Sequence, residues 1–220
     1  MSTWTVVVAA GSGTRFGGDK QLADLSGMAV LVRSVASASA VSAGVVVVVS
    51  AGRRAEVSGV LSGLERVEAI VDGGATRSES VRCGLAAVPD GAGVVLVHDG
   101  ARPLATPDLF RRVVDAVLAG AVAVVPGVPV TDSLRTADGR VMARDDVTAV
   151  QTPQGFNAER LRSAHAGGGE ASDDATLVEA AGGTVVVVEG EASNLKITRP
   201  ADLDLARLEL ERIVAGSSDA

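Results

Sequence analysis

Gly93-Val94-Val95-Leu96-Val97-His98-Asp99-Gly100-Ala101-Arg102-Pro103 sets the architecture of this chain. Its four-residue apolar run, mostly valine, is too short for a helix and too β-branched to favour one, so Gly93 to His98 reads as a buried strand. Directly after it come a carboxylate and a guanidinium, Asp99 and Arg102. The same plan, a short valine-rich run that ends in polar or glycine-rich residues, recurs at Trp4 to Ala10, Gly44 to Ser50, Arg66 to Val71, Ala121 to Pro126 and Thr184 to Val188. Stretches of helical period lie between, at Val30 to Ala38, Arg53 to Gly63, Arg77 to Val88, Pro107 to Leu118, Ala158 to Ala164, Asp173 to Ala181 and Pro200 to Val214. This alternation predicts an α/β fold with a single doubly wound, mostly parallel sheet. Ligands of such sheets bind beyond the carboxyl ends of the strands, so the residues that close each valine run are where chemistry is sought.

Composition narrows the classes. The 220 residues make one domain, 1–220, with a formal net charge of −7 from 20 Lys plus Arg against 27 Asp plus Glu. With three Phe, one Trp and no Tyr, the chain lacks stacking platforms for single strands, and its acidity argues against duplex or membrane-surface binding. No nucleic-acid or membrane partner is expected, but the balance leaves room for a small basic pocket around a phosphorylated molecule. The lone Cys83 excludes an intrachain disulfide, which suits a reducing compartment. No basic leader precedes the first strand, and the apolar runs are far short of the roughly 20 residues that span a bilayer. A soluble, cytoplasmic protein is the expectation.

One segment departs from the alternation. Residues 131–150 are too polar for core and centre on the hairpin signal Asp138-Gly139. They predict a projecting two-stranded arm, which needs a second surface to pack on, most simply the same arm of another subunit. Gly167 to Gly169 reads as a flexible loop and Gly216 to Ala220 as a frayed tail.

Several segments could carry chemistry. Ala9-Ala10-Gly11-Ser12-Gly13-Thr14-Arg15-Phe16-Gly17-Gly18-Asp19-Lys20 follows the first strand and offers backbone N–H donors with two cations. It matches neither the dinucleotide fingerprint nor the P-loop, and it suits a triphosphate clamp or, more blandly, a tight turn with solvated cations. After the third strand, Gly73, Gly74 and Ser80 lie at the ligand edge, while Thr76 and Glu79 have the spacing of a capping box. Asp99 and Arg102 either neutralise each other or read hydroxyls and phosphate. Asp173 and Asp174 open a helix, where carboxylates often only complement the dipole. Lys196 by itself is a surface charge.

Together these motifs resemble the 2-C-methyl-D-erythritol 4-phosphate cytidylyltransferase family over nearly the whole chain. The carriers are Ala9 to Arg15 with Lys20-Gln21, Asp72-Gly73-Gly74 with Arg77 and Ser80-Val81, Val97 to Pro103, Gln151 to Phe156, Asp173-Asp174-Ala175 and Asn194 to Thr198. The resemblance implies a Rossmann-like nucleotidyltransferase that joins CTP to methylerythritol 4-phosphate, with Mg²⁺ as cofactor and no metal ligands assigned. It implies that Arg15 and Lys20 stabilise charge at the α-phosphorus. CTP would be held by Ala9, Ala10, Gly11, Ser12, Gly13, Gly74 and Ser80, with the ribose near Gly100 and Ala101. Asp99, Arg102, Ser133 and Thr152 would bind the acceptor's polyol. Lys196 and, from the second subunit of a homodimer, Arg144 would hold its phosphate, both in the catalytic set. Relatives commonly have Pro before the loop lysine where this chain has Asp19, and Ala where it has Gly100. Rival expectations are ribitol 5-phosphate as acceptor, a nicotinamide-dependent oxidoreductase, and a non-catalytic nucleotide-binding module.

Overall fold

The computed structural model describes residues 1–11 and 13–218. In chain order the elements are β1 (Ser2–Ala9), β2 (Asp24–Leu25), β3 (Met28–Ala29), α1 (Val30–Ser39), β4 (Gly44–Val49), α2 (Arg54–Leu61), β5 (Val67–Asp72), α3 (Arg77–Leu85), β6 (Ala92–Asp99), α4 (Pro107–Leu118) and β7 (Ala123–Pro129). There follow β8 (Leu134–Arg135), β9 (Val141–Met142), a 3₁₀ turn at Arg144–Asp146, β10 (Thr148–Val150), β11 (Gln154–Asn157), α5 (Ala158–Ala166), α6 (Asp174–Ala180), β12 (Val185–Glu189) and α7 (Pro200–Ser218).

The main sheet runs β10-β7-β11-β6-β1-β4-β5, with β12 also paired to β7. Strands β6, β1, β4 and β5 pair in parallel, as do β12 and β7. Strand β4 shows why valine runs make this sheet: all six residues are buried. Val45, Val47 and Val49 enter the cluster under α1, α2 and α4. Val46 and Val48 enter the one under α3, α5 and α6. Alternate side chains thus fill two cores, the signature of a parallel sheet covered on both faces. At the amino end of the sheet Gly44 leaves room for the indole of Trp4, whose ring atoms would lie 2.5 Å from a Cβ at that position.

Four strands are not expected from the sequence. Antiparallel β11 is inserted between β6 and β7, and β10 pairs antiparallel with β7. The two-residue strands β2 and β3 form a hairpin across Ser26 and Gly27, both at positive φ (53° and 81°), as its tight turn demands. Leu25 and Val30 beside this hairpin join Leu104, Ile197, Leu203 and Ala206 in a third cluster that seats α7.

The polar segment projects as expected, but over a shorter span. Its ladder is two residue pairs, Leu134 with Met142 and Arg135 with Val141, turning at Gly139 (φ 90°). Thr148 to Val150 do not project; they are β10 of the main sheet. The loop at Gly167 to Gly169 is tied down, since Arg82 donates to the Gly169 carbonyl (3.0 Å) and pairs with Glu170 (2.9 Å). The tail expected to fray from Gly216 is helical as far as Ser218, the end of α7, and the remaining two residues lie outside those described.

Candidate active site

Strand order places β1 in the middle of the sheet, with β4 and β5 on one side and β6 on the other, so the connections diverge from it. Beyond the carboxyl ends at that divergence lies a cavity of about 400 Å³. Its wall takes Ala10, Gly11, Arg15, Lys20 and Gln21 from the loop after β1, Gly74 to Arg77 and Ser80 from the region after β5, Asp99 and Ala101 from the end of β6, and Lys196. Four sequence segments from residue 8 to residue 196 converge here. A larger cavity, about 520 Å³ between α2 and β5, contains none of these motifs.

The loop after β1 is a set of turns. Gly13 sits at φ 63°, and its carbonyl accepts from Phe16 N–H (2.9 Å) and Gly17 N–H (3.1 Å). A Cβ at Gly13 would stand 2.5 Å from the Gly18 carbonyl, so glycine is required there on two counts. Asp19 does not point at the clamp. Its carboxylate pairs with Arg53 and accepts from Gln21 N–H (3.1 Å). Burial alone would raise the Asp19 pKa, but the Arg53 guanidinium outweighs it and holds the carboxyl below its usual value. Lys20 reaches across the cavity to donate to the Ile197 carbonyl (3.1 Å). Burial and the neighbouring Lys196 and Arg15 charges pull its ammonium down, against the opposing pull of Asp99. Ser12 lies outside the described residues.

Beyond β5 the capping box forms as its spacing suggests: Thr76 Oγ1 accepts from Glu79 N–H (3.1 Å), and the Glu79 carboxylate accepts from Thr76 N–H (3.2 Å) and Ala75 N–H (2.6 Å). Ser80 is tucked beneath, accepting from Gly74 N–H (3.2 Å) and donating to the Thr76 carbonyl (2.8 Å). A Cβ on Gly73 would meet Ala10 Cβ at 2.6 Å, so the turns after β1 and β5 touch only because this residue is glycine.

Asp99 is the centre of charge. It is 8% exposed, and its carboxylate meets Lys196 at 2.6 Å, Arg77 at 3.8 Å and Arg102 at 3.9 Å. Burial alone would raise its pKa, but Lys196, then Arg77 and Arg102, hold it at about 2. Thr152 stands behind it: the Asp99 N–H donates to Thr152 Oγ (3.0 Å), and that hydroxyl lies 3.1 Å from His98 Nδ1. His98 Nε2 lies 3.3 Å from the Arg102 carbonyl, so the network assigns the proton to Nε2 and the Thr152 hydroxyl donates to Nδ1. Burial, against Asp99, holds His98 neutral, with its pKa down at about 4. Arg102 donates to the Asn194 carbonyl (2.7 Å), and Asn194 in turn bonds Gln151 (3.2 Å) and the Thr152 carbonyl (2.9 Å). With Ile197 N–H on the Ala101 carbonyl (2.8 Å), this network fixes the segment that carries Lys196.

The structure therefore brings Ala10, Gly11, Arg15, Lys20, Gly74, Ser80, Asp99, Ala101 and Lys196 to one cavity. Ala9, Gly13, Gly100, Arg102 and Thr152 support that wall from behind or beside it. A Cβ at Gly100 would be 3.0 Å from both Gln21 Oε1 and Leu31 Cδ1, so a larger residue there requires those two side chains to shift. Ser133 and Arg144 are on the exposed arm, and within this chain Arg144 touches only the Thr131 carbonyl (3.2 Å) and Asp145 (3.8 Å) among the described residues. Arg77 and Gln21 are wall residues to which the sequence alone assigns no role.

No group of three His, Cys, Asp or Glu side chains among the described residues is arranged to hold a metal ion. The carboxylate on the cavity wall, Asp99, is occupied by Lys196. These residues do not form a protein cage for Mg²⁺. No helix among those described is long and apolar enough to cross a membrane.

Residues 3–212 match the family model described as 2-C-methyl-D-erythritol 4-phosphate cytidylyltransferase. The chain is 42% identical over 218 residues to the protein of that name from Synechococcus sp. (strain CC9902), covering 93% of this chain and 96% of that one. It is 44% identical over 229 residues to the bifunctional enzyme IspD/IspF of Clavibacter michiganensis subsp. michiganensis, covering 98% of this chain but 56% of that protein, so it spans about half the length of that relative. Among solved structures, the 2-C-methyl-D-erythritol 4-phosphate cytidylyltransferase of Thermus thermophilus superposes with a TM-score of 0.75 at 37% identity, covering 94% of this chain and 97% of that one.

Proposed function

The chain belongs to the 2-C-methyl-D-erythritol 4-phosphate cytidylyltransferase family and is a nucleotidyltransferase, and we propose that it transfers the cytidylyl group of CTP to 2-C-methyl-D-erythritol 4-phosphate. One observation carries the reading. In a chain of net charge −7, the cavity wall holds four cations, Arg15, Lys20, Arg77 and Lys196, against one carboxylate, Asp99. Such a site is completed by a polyanion.

A phosphate oxygen of the acceptor attacks the α-phosphorus of CTP in line. The new phosphorus–oxygen bond forms as the bond from the α-phosphorus to the bridging β-oxygen breaks, and pyrophosphate departs with that electron pair. The protein forms no covalent bond; it positions the two phosphates and neutralises charge that grows in the transition state. Arg15 and Lys20, both carried on the loop after β1 and both on the cavity wall, take the α-phosphorus and leaving group. Cytosine is read by the backbone of Ala9, Ala10, Gly11 and Gly74 with Ser80, and the ribose lies against Ala101. Asp99 binds acceptor hydroxyls and Lys196 its phosphate. Mg²⁺, when bound, would neutralise charge on the triphosphate, held chiefly by the substrate rather than by protein side chains.

The acceptor phosphate still lacks a second cation, and Arg144 supplies it from a partner copy. The exposed apolar residues of the arm, Val141 (72%) and Met142 (39%), support a homodimer formed through it. The lone, half-buried Cys83 fits a reducing, cytoplasmic setting.

The test is pyrophosphate release with CTP and Mg²⁺, run with methylerythritol 4-phosphate, with ribitol 5-phosphate and with no acceptor. Release with the first alone is expected. Release with ribitol 5-phosphate alone would move the acceptor, and silence in every well would refute transfer.

A further inference from the structure

We propose that His165 and Asp174 are positioning residues that act through Arg77: the buried pair anchors this cation between the nucleotide loop and Asp99, leaving Asp99 to Lys196 and the acceptor. The inference rests on the cytidylyl-transfer reading.

Asp174 is 0% exposed, in the first turn of α6. A carboxylate so buried must be compensated at both oxygens. Its Oδ1 accepts from His165 Nε2 (3.0 Å), in the last turn of α5, and its Oδ2 forms an ion pair with Arg77 Nη1 (2.8 Å), at the start of α3, at an angle outside hydrogen-bond geometry. Three helix ends meet at one acid. Its neighbour Asp173 has the role the helix-dipole reading allows both acids, capping α6 by accepting from Thr176 N–H (2.9 Å).

The acid is held from several sides. Gln154 of β11 donates to Asp173 (3.1 Å) and accepts from Ala175 N–H (3.3 Å), pinning the start of α6. Helix α3 is tied to the segment before α6 by Arg82 to the Gly169 carbonyl and Glu170, and by Ala171 N–H to Ser78 Oγ (3.4 Å). His165 is 3% exposed, and its Nδ1 has no hydrogen-bond partner among the described residues. The polar work of this imidazole is therefore directed at Asp174.

Arg77 links this buried acid to the site. Its guanidinium is 2.8 Å from Asp174 but 3.8 Å from Asp99. Lys196 holds Asp99 at 2.6 Å. Without the charge on Asp174, the carboxylates left near Arg77 are Asp173, which is engaged in capping α6, and Asp99, which Lys196 and the acceptor share. Asp174 thus keeps Arg77 from competing for it, and His165 orients Asp174.

The test measures KM for each substrate, kcat and Tm in the full chain. Asp174→Asn keeps the shape and the acceptor for His165 but removes the charge; it should raise the acceptor KM about fivefold or more while CTP KM stays within about twofold. His165→Leu should shift the acceptor KM in the same direction by about threefold, and His165→Gln, which retains a donor, should restore it. In an Arg77→Ala background Asp174→Asn should add nothing further. Full additivity there, or a lowered Tm with unchanged acceptor KM, overturns the proposal. If Asp174→Asn does not fold, His165→Leu against His165→Gln decides, and equal acceptor KM values in the two refute the role. Wild-type protein that transfers no cytidylyl group refutes instead the functional reading beneath it.

Discussion

Asp99 and Arg144 serve one acceptor in the proposed reaction, and the chain holds them in opposite ways. Asp99 is 8% exposed, with three cations on its carboxylate and the Thr152 hydroxyl on its backbone N–H. Arg144 is exposed in the 3₁₀ turn that follows a ladder of two residue pairs, near a single carbonyl and a neighbouring acid. The pocket floor is built by contacts within the chain, whereas in the proposed homodimer the arm takes its contacts from a partner copy. A group that must sit within a fraction of an ångström of a reacting atom is fixed by buried networks; a group delivered by assembly is fixed only when the assembly forms.

Removing a floor cation should have the largest effect. Lys20→Ala is expected to lower kcat a hundredfold or more, about 3 kcal/mol of transition-state stabilisation, in steady-state assays of pyrophosphate release. A loss under about threefold would break the contrast, because the pre-formed floor would then contribute no more than a surface charge.

Acid should undo the floor next. The His98 pKa, about 4 when folded against 6.5 in an open chain, lies below its unfolded value, so the unfolded state takes up the proton first. The corresponding stability is intact above pH 6.5 and is lost as pH falls towards 4, about 3 kcal/mol in all. Urea melts at pH 7 and pH 4 measure it, and His98→Gln should flatten that slope.

The difference between floor and arm is only half visible in the sequence. Valine runs announce β1, β4 and β6, and with them the sheet edge where Asp99 sits, because a strand buried on both faces has little choice of residue; β5, which leads to Gly74, is an edge strand with no fully buried residue, against the expectation of a buried one. Strand β11 escapes such a reading because Gln154, Gly155, Phe156 and Asn157 carry no such pattern; neighbours on both sides make it a strand. Asp173 and Asp174 are adjacent and identical in sequence, yet one caps a helix and the other is buried against Arg77, far away in the chain. That fate depends on which way a helix turn rotates each side chain, and no local signal distinguishes them. Arg77 stands within a recognisable motif but gains its role from Asp99 and Asp174, which come from distant elements.

The arm yields a smaller, sharper prediction. Arg144→Ala should raise the acceptor KM about tenfold and leave CTP affinity unchanged. Light scattering should give a dimer mass at micromolar concentration; a monomer that retains full activity would show that the floor alone suffices.

The smallest effect belongs to the Asp19–Arg53 pair, which lies at the surface with side chains 35% and 29% exposed. Arg53→Ala should change stability by no more than about 0.5 kcal/mol in denaturant melts. If it also alters CTP KM, the glycine-rich loop belongs with the arm, as a part positioned by weak contacts, rather than with the floor.

Trp4 has an optical consequence. It is the one tryptophan in a chain without tyrosine, and it packs at Gly44 on the amino edge of the sheet. Five residue steps along β1 separate it from Ala9, about 17 Å at roughly 3.3 Å each. Intrinsic emission excited at the red edge of the ultraviolet band therefore comes from a single fluorophore at the end of the sheet remote from the nucleotide. Its spectrum should follow global unfolding and stay silent when CTP binds, so a titration read by tryptophan quenching would miss an occupied site.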